Sequence, residues 1–250
     1  MGTGKVIRPL RDKGWEIFTR PYELNIIGLR NLATRPNRFD DEIHVIYSDS
    51  SGKTLHHIYK ATTDPGTYWL ENPSMSKGTA ILKEGQYKHA YKLGLHRGEY
   101  TALVQDKPVT VFRDYDRNAV LDFNNGSEET GMFGIEIHRA ASVGSTINVD
   151  KYSAGCQVFQ NANDFKEFIG LCQKQSKLYG NEFTYTLIDF RSVRRSMRKH
   201  FVYLTMTMLS LAVFFINGER IFDLPSFLTE DIFGSKPNTK RNRKGRREGR

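Results

Sequence analysis

The sequence predicts a mainly β domain of the α+β class, with one late helix packed on the sheet and a hydrophobic helix toward the C-terminal end. Three observations predict it. Short segments of alternating character, rich in β-branched and aromatic residues, recur between residues 22 and 159 and are separated by Gly, Pro, Asn and Asp turns. The stretch 164–179 sets Phe165, Phe168, Ile169 and Cys172 on one face at helical spacing. Finally, 201–218 reads FVYLTMTMLSLAVFFING, without a charged residue.

Residues 1–20 are basic and mixed, with Trp15, Ile17 and Phe18 as the apolar cluster, and read as a short strand or a helical lead-in. From Tyr22, YELNIIGLR alternates as a strand does. EIHVIY and LHHIYKATT then flank a Ser-Asp-Ser-Ser-Gly-Lys turn as a hairpin. His44, His56 and His57 lie in these strands. No spacing typical of a zinc site accompanies them, so they are expected on the strand surface. Asp64-Pro65-Gly66 is a turn, and 68–100 reads as a loop-rich sheet edge. Its Tyr68, Trp69, Tyr87 and Tyr91, with Tyr100, either pave a groove for a glycan or peptide or fill the core. His96 and Arg97, before Gly98, are weaker site candidates. Pro108 opens a strand through Arg113, followed by the acidic turn DYDRN. Asp114 and Asp116 are read there as turn caps. A calcium loop calls for more regularly spaced oxygen ligands ending in a bidentate Glu, so no metal and no cofactor is expected. The late helix takes Asn161 or Asn163 as its N-cap, Cys172 falls in the core, and FTYTLIDF (183–190) is a closing strand.

The chain has 250 residues and a net charge of +9. The charge is uneven. Residues 1–190 hold 23 basic and 23 acidic side chains, 191–199 hold five basic and no acidic ones, and 236–250 hold eight basic and one acidic. The basicity therefore belongs to the C-terminal appendage, and no specific nucleic-acid partner is expected for the main domain. Two cysteines exclude a disulfide framework. The charged opening has no apolar run of signal-peptide length, so general secretory export is not expected.

One stretch concentrates chemistry: GIEIHRAASVGSTINVDKYSAGCQVF, 134–159. Ile135 and Ile137 alternate with Glu136 and His138 as in a half-buried strand, and Val158 and Phe159 resume apolar character after Cys156. Between His138 and Ser153 lies a segment rich in Ser, Gly, Asn and Asp that can fold back and bring His138 to Cys156. A thiol attacks as thiolate, so it calls for a nearby imidazole or exposed N–H groups. Ala154 and Gly155 allow a tight turn, whose N–H groups with that of Cys156 could face an oxyanion.

His138 followed, after that connection, by Ser153-Ala154-Gly155-Cys156 resembles the signature of the L,D-transpeptidase (YkuD-type) family of peptidoglycan cysteine enzymes. The segment 63–122, with TTDPGTYWL, KGTAILKEGQY and KPVTVFRDYD, is similar to phage and bacterial proteins carrying the same ending. The resemblance implies a β-sandwich or barrel over 21–190. It implies that Cys156 attacks a carbonyl of a stem peptide, that His138 accepts the thiol proton, and that Ser153 and Gly155 complete the catalytic motif. An amine or water would then resolve the thioester, giving cross-linking or hydrolysis, with no cofactor. The chain departs from the family where His-Gly becomes His138-Arg139 and where the Arg after the cysteine becomes Gln157. Arg139, Gln157 and Tyr152 are therefore the candidate substrate contacts, with Arg139 supplying the carboxylate-binding fork.

The expected organisation is a lead-in over 1–20, a catalytic domain over 21–190, a basic flank and transmembrane helix over 191–218, and a disordered basic tail over 219–250. The partners expected are peptidoglycan stem peptides, a membrane through 201–218, and anionic lipid or polymer through the tail. The location expected is membrane-associated or in a virion or cell envelope. The basic residues on either side of 201–218 leave the side of the membrane open. The competing expectations are a phage virion or wall-binding protein without turnover and a cysteine peptidase acting on protein.

Overall fold

The computed structural model describes residues 2–31, 35–123 and 127–217, and of 209–217 the backbone alone. Its elements are α1 (Gly4–Asp12), β1 (Asn25–Arg30), β2 (Asp41–Ser48), β3 (Thr54–Thr62), α2 (Thr67–Glu71), β4 (Thr79–Leu82), β5 (Gly85–His96), β6 (Tyr100–Gln105), β7 (Val109–Asp114), β8 (Glu128–Gly131), β9 (Ile137–Arg139), β10 (Gln157–Phe159), α3 (Ala162–Tyr179), β11 (Phe183–Asp189) and α4 (Phe190–Asn217). Eight strands close a barrel in the order β1-β11-β5-β6-β9-β10-β3-β2, while β4, β7 and β8 form a separate three-stranded sheet. The chain is thus mainly β with a few helices. It divides into two units, Met1–Met197 and Arg198–Arg250.

In the first unit, the barrel interior is filled by side chains such as Ile26, Val45, Tyr91, Leu103, Phe159 and Tyr185. A Cβ on Gly28 would stand 1.9 Å from the Tyr185 hydroxyl, so glycine on β1 makes room for that ring. Tyr185 donates to Gln157 Oε1 at 2.8 Å inside the barrel. Strand β1 is buried on both faces, because its outer side lies under α1. Val6 and Leu10 of that helix pack with Ile27, Leu29, Ile46 and Val193. The lead-in is therefore a helix and part of the main body. Helix α3 begins where Asn161 Oδ1 accepts the amides of Asn163 and Asp164 at 2.7 and 3.2 Å. Its apolar face stacks on the barrel, Phe168 lying 4.9 Å from Phe159 between ring centroids.

Two expectations are corrected. His44 is not on the surface: it is 1% exposed. It stands opposite Ile27 in the β1–β2 register, on the face that α1 covers. Its ring nitrogens lie 2.8 Å from His56 Nε2 and 2.9 Å from Glu42 Oε2. Nor is 68–100 a loop-rich edge, since it contains α2, β4 and the twelve-residue β5, which pairs with both β11 and β6. Gly and Lys interrupt the apolar alternation of β5, yet barrel closure supplies hydrogen-bond partners on both sides. Tyr91 is accordingly core, edge-on to Tyr185 at 5.8 Å. Tyr68 stays exposed at 37%.

The hydrophobic segment is helical as far as Asn217. Among the described residues no helix is long and apolar enough to cross a membrane. The end of the expected span, at 218, and the tail over 219–250 lie outside the described residues.

Replacing Tyr185 by Phe strands Gln157 Oε1 in the barrel, and urea unfolding should show a loss of about 1–3 kcal/mol. The buried Tyr91 hydroxyl has no partner among the described residues. Tyr91→Phe should therefore be neutral or add up to about 1 kcal/mol. Equal losses in the two variants would contradict this assignment of the interior hydrogen bonds.

Candidate active site

Strands β9 and β10 are parallel, with Gln157 opposite Ile137 and Val158 opposite His138. Parallel neighbours cannot be joined by a tight hairpin. The chain spends 140–156 on the crossover, which is why the histidine and the cysteine are separated by a long polar segment. Gln157 N–H donates to Glu136 O at 2.8 Å, so Cys156 arrives beside Glu136. Ile137 points into the barrel core. Strand alternation then puts Glu136, His138 and Cys156 on the opposite, outer face.

Cys156 is half-buried. Its Sγ accepts the Glu136 N–H at 3.4 Å and sits 3.5 Å from Gly134 O, toward which the S–H can donate. His138 is 3% exposed. Its Nδ1 lies 2.8 Å from Arg139 O, and a carbonyl only accepts, so Nδ1 carries the proton and Nε2 is the basic nitrogen. The Tyr100 hydroxyl stands 3.4 Å from the same Nδ1. The His96 ring stacks on His138 with centroids 4.2 Å apart. His96 Nδ1 is in turn paired with the Glu136 carboxylate.

The electrostatics follow from burial. Desolvation pushes the Cys156 thiol up to about 11, with the Glu136 charge adding and the Glu136 N–H and Arg97 opposing. Desolvation, and then His96, pull His138 down to about 3. The pair therefore rests as thiol and neutral imidazole.

The turn before the cysteine is held from several sides. Gly155 has φ +119°, and a Cβ there would stand 2.2 Å from Ala80 O of β4, so only glycine fits. Ser153 is fully buried. Its Oγ donates to Cys156 O at 2.8 Å and accepts the Gly155 N–H at 3.1 Å. Ser153, for which a catalytic role was expected, thus braces the turn from a buried position. The same bond occupies the Gly155 N–H, so that amide is not an oxyanion donor in this conformation. The Cys156 N–H has no partner among the described residues and can take that place. Gln157, expected as a substrate contact, is wholly buried, with Nε2 donating to Gly155 O at 3.2 Å and Oε1 held by Tyr185. It supports the turn from inside the barrel, because strand alternation turns it away from Cys156.

The Asp64-Pro65-Gly66 turn takes part too. Gly66 N–H donates to Ser153 O at 2.9 Å. Asp64 is anchored by Arg30, whose Nε is 2.8 Å from Asp64 Oδ1. Of the remaining candidates, Arg139 lays its guanidinium over the Tyr100 ring at 4.3 Å and donates to Ser142 O at 3.0 Å. Tyr152 ends a short 3-10 turn and is 41% exposed. His96, Glu136 and Tyr100 gather at His138 with a weight that single-sequence reading did not assign. The one signal for Glu136 was its position two residues before His138, on the same strand face. A recess lined by Arg30, Lys83, Glu84, Phe112, Phe123 and Arg195 contains none of these residues. Comparison with protein-family models, with curated proteins and with solved structures finds no match for this chain.

The shifts set a pH window. An unfolded histidine binds protons below about 6.5 that His138 refuses until about 3, so stability should fall as pH drops through that interval. Unfolded cysteine ionises near 9.0 whereas Cys156 holds its proton to about 11, so stability should also fall as pH rises between them. These are the contributions of His138 and Cys156 alone; buried Asp41, raised to about 8 by desolvation and then by Asp64, adds a fall in stability as pH rises toward that value, and urea midpoints measured across pH should show all three. Cys156→Ala should remove only the share of the alkaline decline that belongs to Cys156, since burial also holds Cys172, Tyr91 and Tyr185 protonated well above their ordinary range. Iodoacetamide alkylation of Cys156 should climb with pH toward a midpoint near 11, and a midpoint below 8 would overturn the buried-thiol assignment.

Proposed function

We propose that this protein is a peptidoglycan-acting cysteine enzyme of the L,D-transpeptidase type. The observation that carries the reading is the shared outer face of Glu136, His138 and Cys156, on which His138 has its tautomer set by Arg139 O. In this reading His138 Nε2 takes the thiol proton as Sγ attacks a carbonyl of the stem peptide. The Glu136 N–H supports the charge on sulfur and the Cys156 N–H meets the oxyanion. Collapse to the thioester expels an amine, which leaves with the proton held by His138. A second amine then gives a cross-link, or water gives hydrolysis. Arg139, with its plane fixed on Tyr100, binds the free carboxylate of the peptide, and Tyr152 lies at the accessible end of the same loop.

A second reading, a phage virion or wall-binding protein that keeps the fold without turnover, is favoured by one observation. Burial holds the thiol protonated at rest. The readings separate in one experiment, with the full chain incubated beside Cys156→Ala with purified muropeptides of several stem chemistries and followed by mass. The full chain is used because Val193 of α4 belongs to the packed core. A new cross-link, a lost terminal residue or a cut stem, seen with the native cysteine alone, is the expected result. Unchanged masses together with retained binding to sacculi would establish the second reading. Arg139→Ala should raise KM by about tenfold for peptides with a free carboxylate, about 1.4 kcal/mol, and much less for their amides.

A further inference from the structure

Strand β7 ends at Asp114, and the chain then runs Asp114-Tyr-Asp116-Arg-Asn118-Ala-Val-Leu-Asp122. The sequence alone suggested turn caps there and no metal. Asn118 N–H does donate to Asp116 Oδ1 at 3.2 Å, as a cap would have it. Folding does more than cap a turn. It brings an oxygen of each of Asp114, Asp116 and Asp122 within 4.8 Å of one another. Three carboxylates this close repel unless a cation joins them. Among the described residues none of the three makes an ion pair, and the adjacent Arg113 is committed to Glu129 and to Gly78 O.

A second observation is independent of the clustering. Asp114 is 1% exposed, and while its Oδ2 accepts the Asp122 N–H at 3.1 Å, its Oδ1 is buried with no partner among the described residues. A buried carboxylate oxygen without a donor is costly, and a bound cation removes that cost.

We propose that Asp114, Asp116 and Asp122, with Asn118 beside them, form a Ca²⁺ site. The donors are all hard oxygens, which suit Ca²⁺ or Mg²⁺ and exclude a soft-metal site. Their places along the chain match the first, third, fifth and ninth positions of an oxygen-ligand calcium loop. Mg²⁺ demands near-ideal octahedral geometry and keeps its waters, whereas a site of one buried and two more accessible carboxylates suits the more permissive coordination of Ca²⁺. The site reaches the Cys156 turn through two strands. Asp114 pairs with Thr79 of β4, and the next residue, Ala80, supplies the carbonyl under Gly155. A cation there braces the floor of the nucleophile turn.

The test uses the full chain stripped of metal with a chelator. Titration calorimetry with CaCl₂ should show one saturable site, tight enough to fill at about 1 mM, the range of extracellular calcium modules. The melting temperature should rise with Ca²⁺ and return on chelation. Asp116→Asn and Asp122→Asn, which alter accessible members of the set and leave buried Asp114 in place, should each weaken binding at least tenfold while keeping the far-UV spectrum. Glu71→Gln, an exposed acid on α2, should bind as the unaltered chain does. No saturable heat at 10 mM Ca²⁺, an unchanged affinity in both Asp variants, or tighter binding of Mg²⁺ than of Ca²⁺ would each overturn the proposal.

Discussion

The parallel pairing of β9 with β10 is the constraint on which the rest of the site depends. It requires a crossover, and the crossover returns the chain beside Glu136, so the cysteine meets the strand that carries the histidine. A shift of one residue in that register would turn Cys156 into the barrel and bring Gln157 out. The register is held by what lies on the inner face: Ile137 and Phe159 in the core, and Gln157 between Tyr185 and Gly155 O. The barrel interior thus fixes the outer-face geometry.

Around this pairing the molecule is braced in layers. Arg30 holds Asp64, the amide of Gly66 holds the carbonyl of Ser153, and Ser153 holds the turn at Gly155 and Cys156. On the far side, the carbonyl of Ala80 closes against Gly155 so tightly that no side chain is admitted. The residues that build the turn are therefore numerous, and those among them with access to solvent are few. Burial is also what keeps thiol and imidazole neutral at rest. The same low-dielectric surroundings strengthen any hydrogen bond offered to charge that develops later.

Several elements were legible in the sequence because their signals are local. The β2–β3 hairpin, β7, the N-cap at Asn161, the buried face of α3 and the strand β11 depend on periodicity and capping within a few residues. Others were not legible because their partners are far away. His44 looks like a surface residue until α1, some thirty residues earlier in the chain, is laid over Ile27 and its neighbours. Tyr91 looks like a groove residue until β5 is enclosed by β11 and β6. His96 lies 40 residues from Glu136, and only the β6–β9 pairing brings their strands to one place.

By itself the sequence determined a mainly β chain, the tight turn at Ser153-Ala154-Gly155-Cys156 and the long polar connection between His138 and Cys156, because small residues, alternation and residue chemistry act over short range. Only the tertiary structure decided which side chains face outward. It placed Ser153 and Gln157 in the buried scaffold of the turn, committed the Gly155 amide to Ser153, and set His96 and Glu136 beside His138. It also gathered Asp114, Asp116 and Asp122 and buried one oxygen of Asp114 without a donor. The physical reason is the same in each case. Burial and hydrogen-bond completeness are properties of the closed barrel and its attached sheet, and no stretch of chain carries them before those surfaces meet.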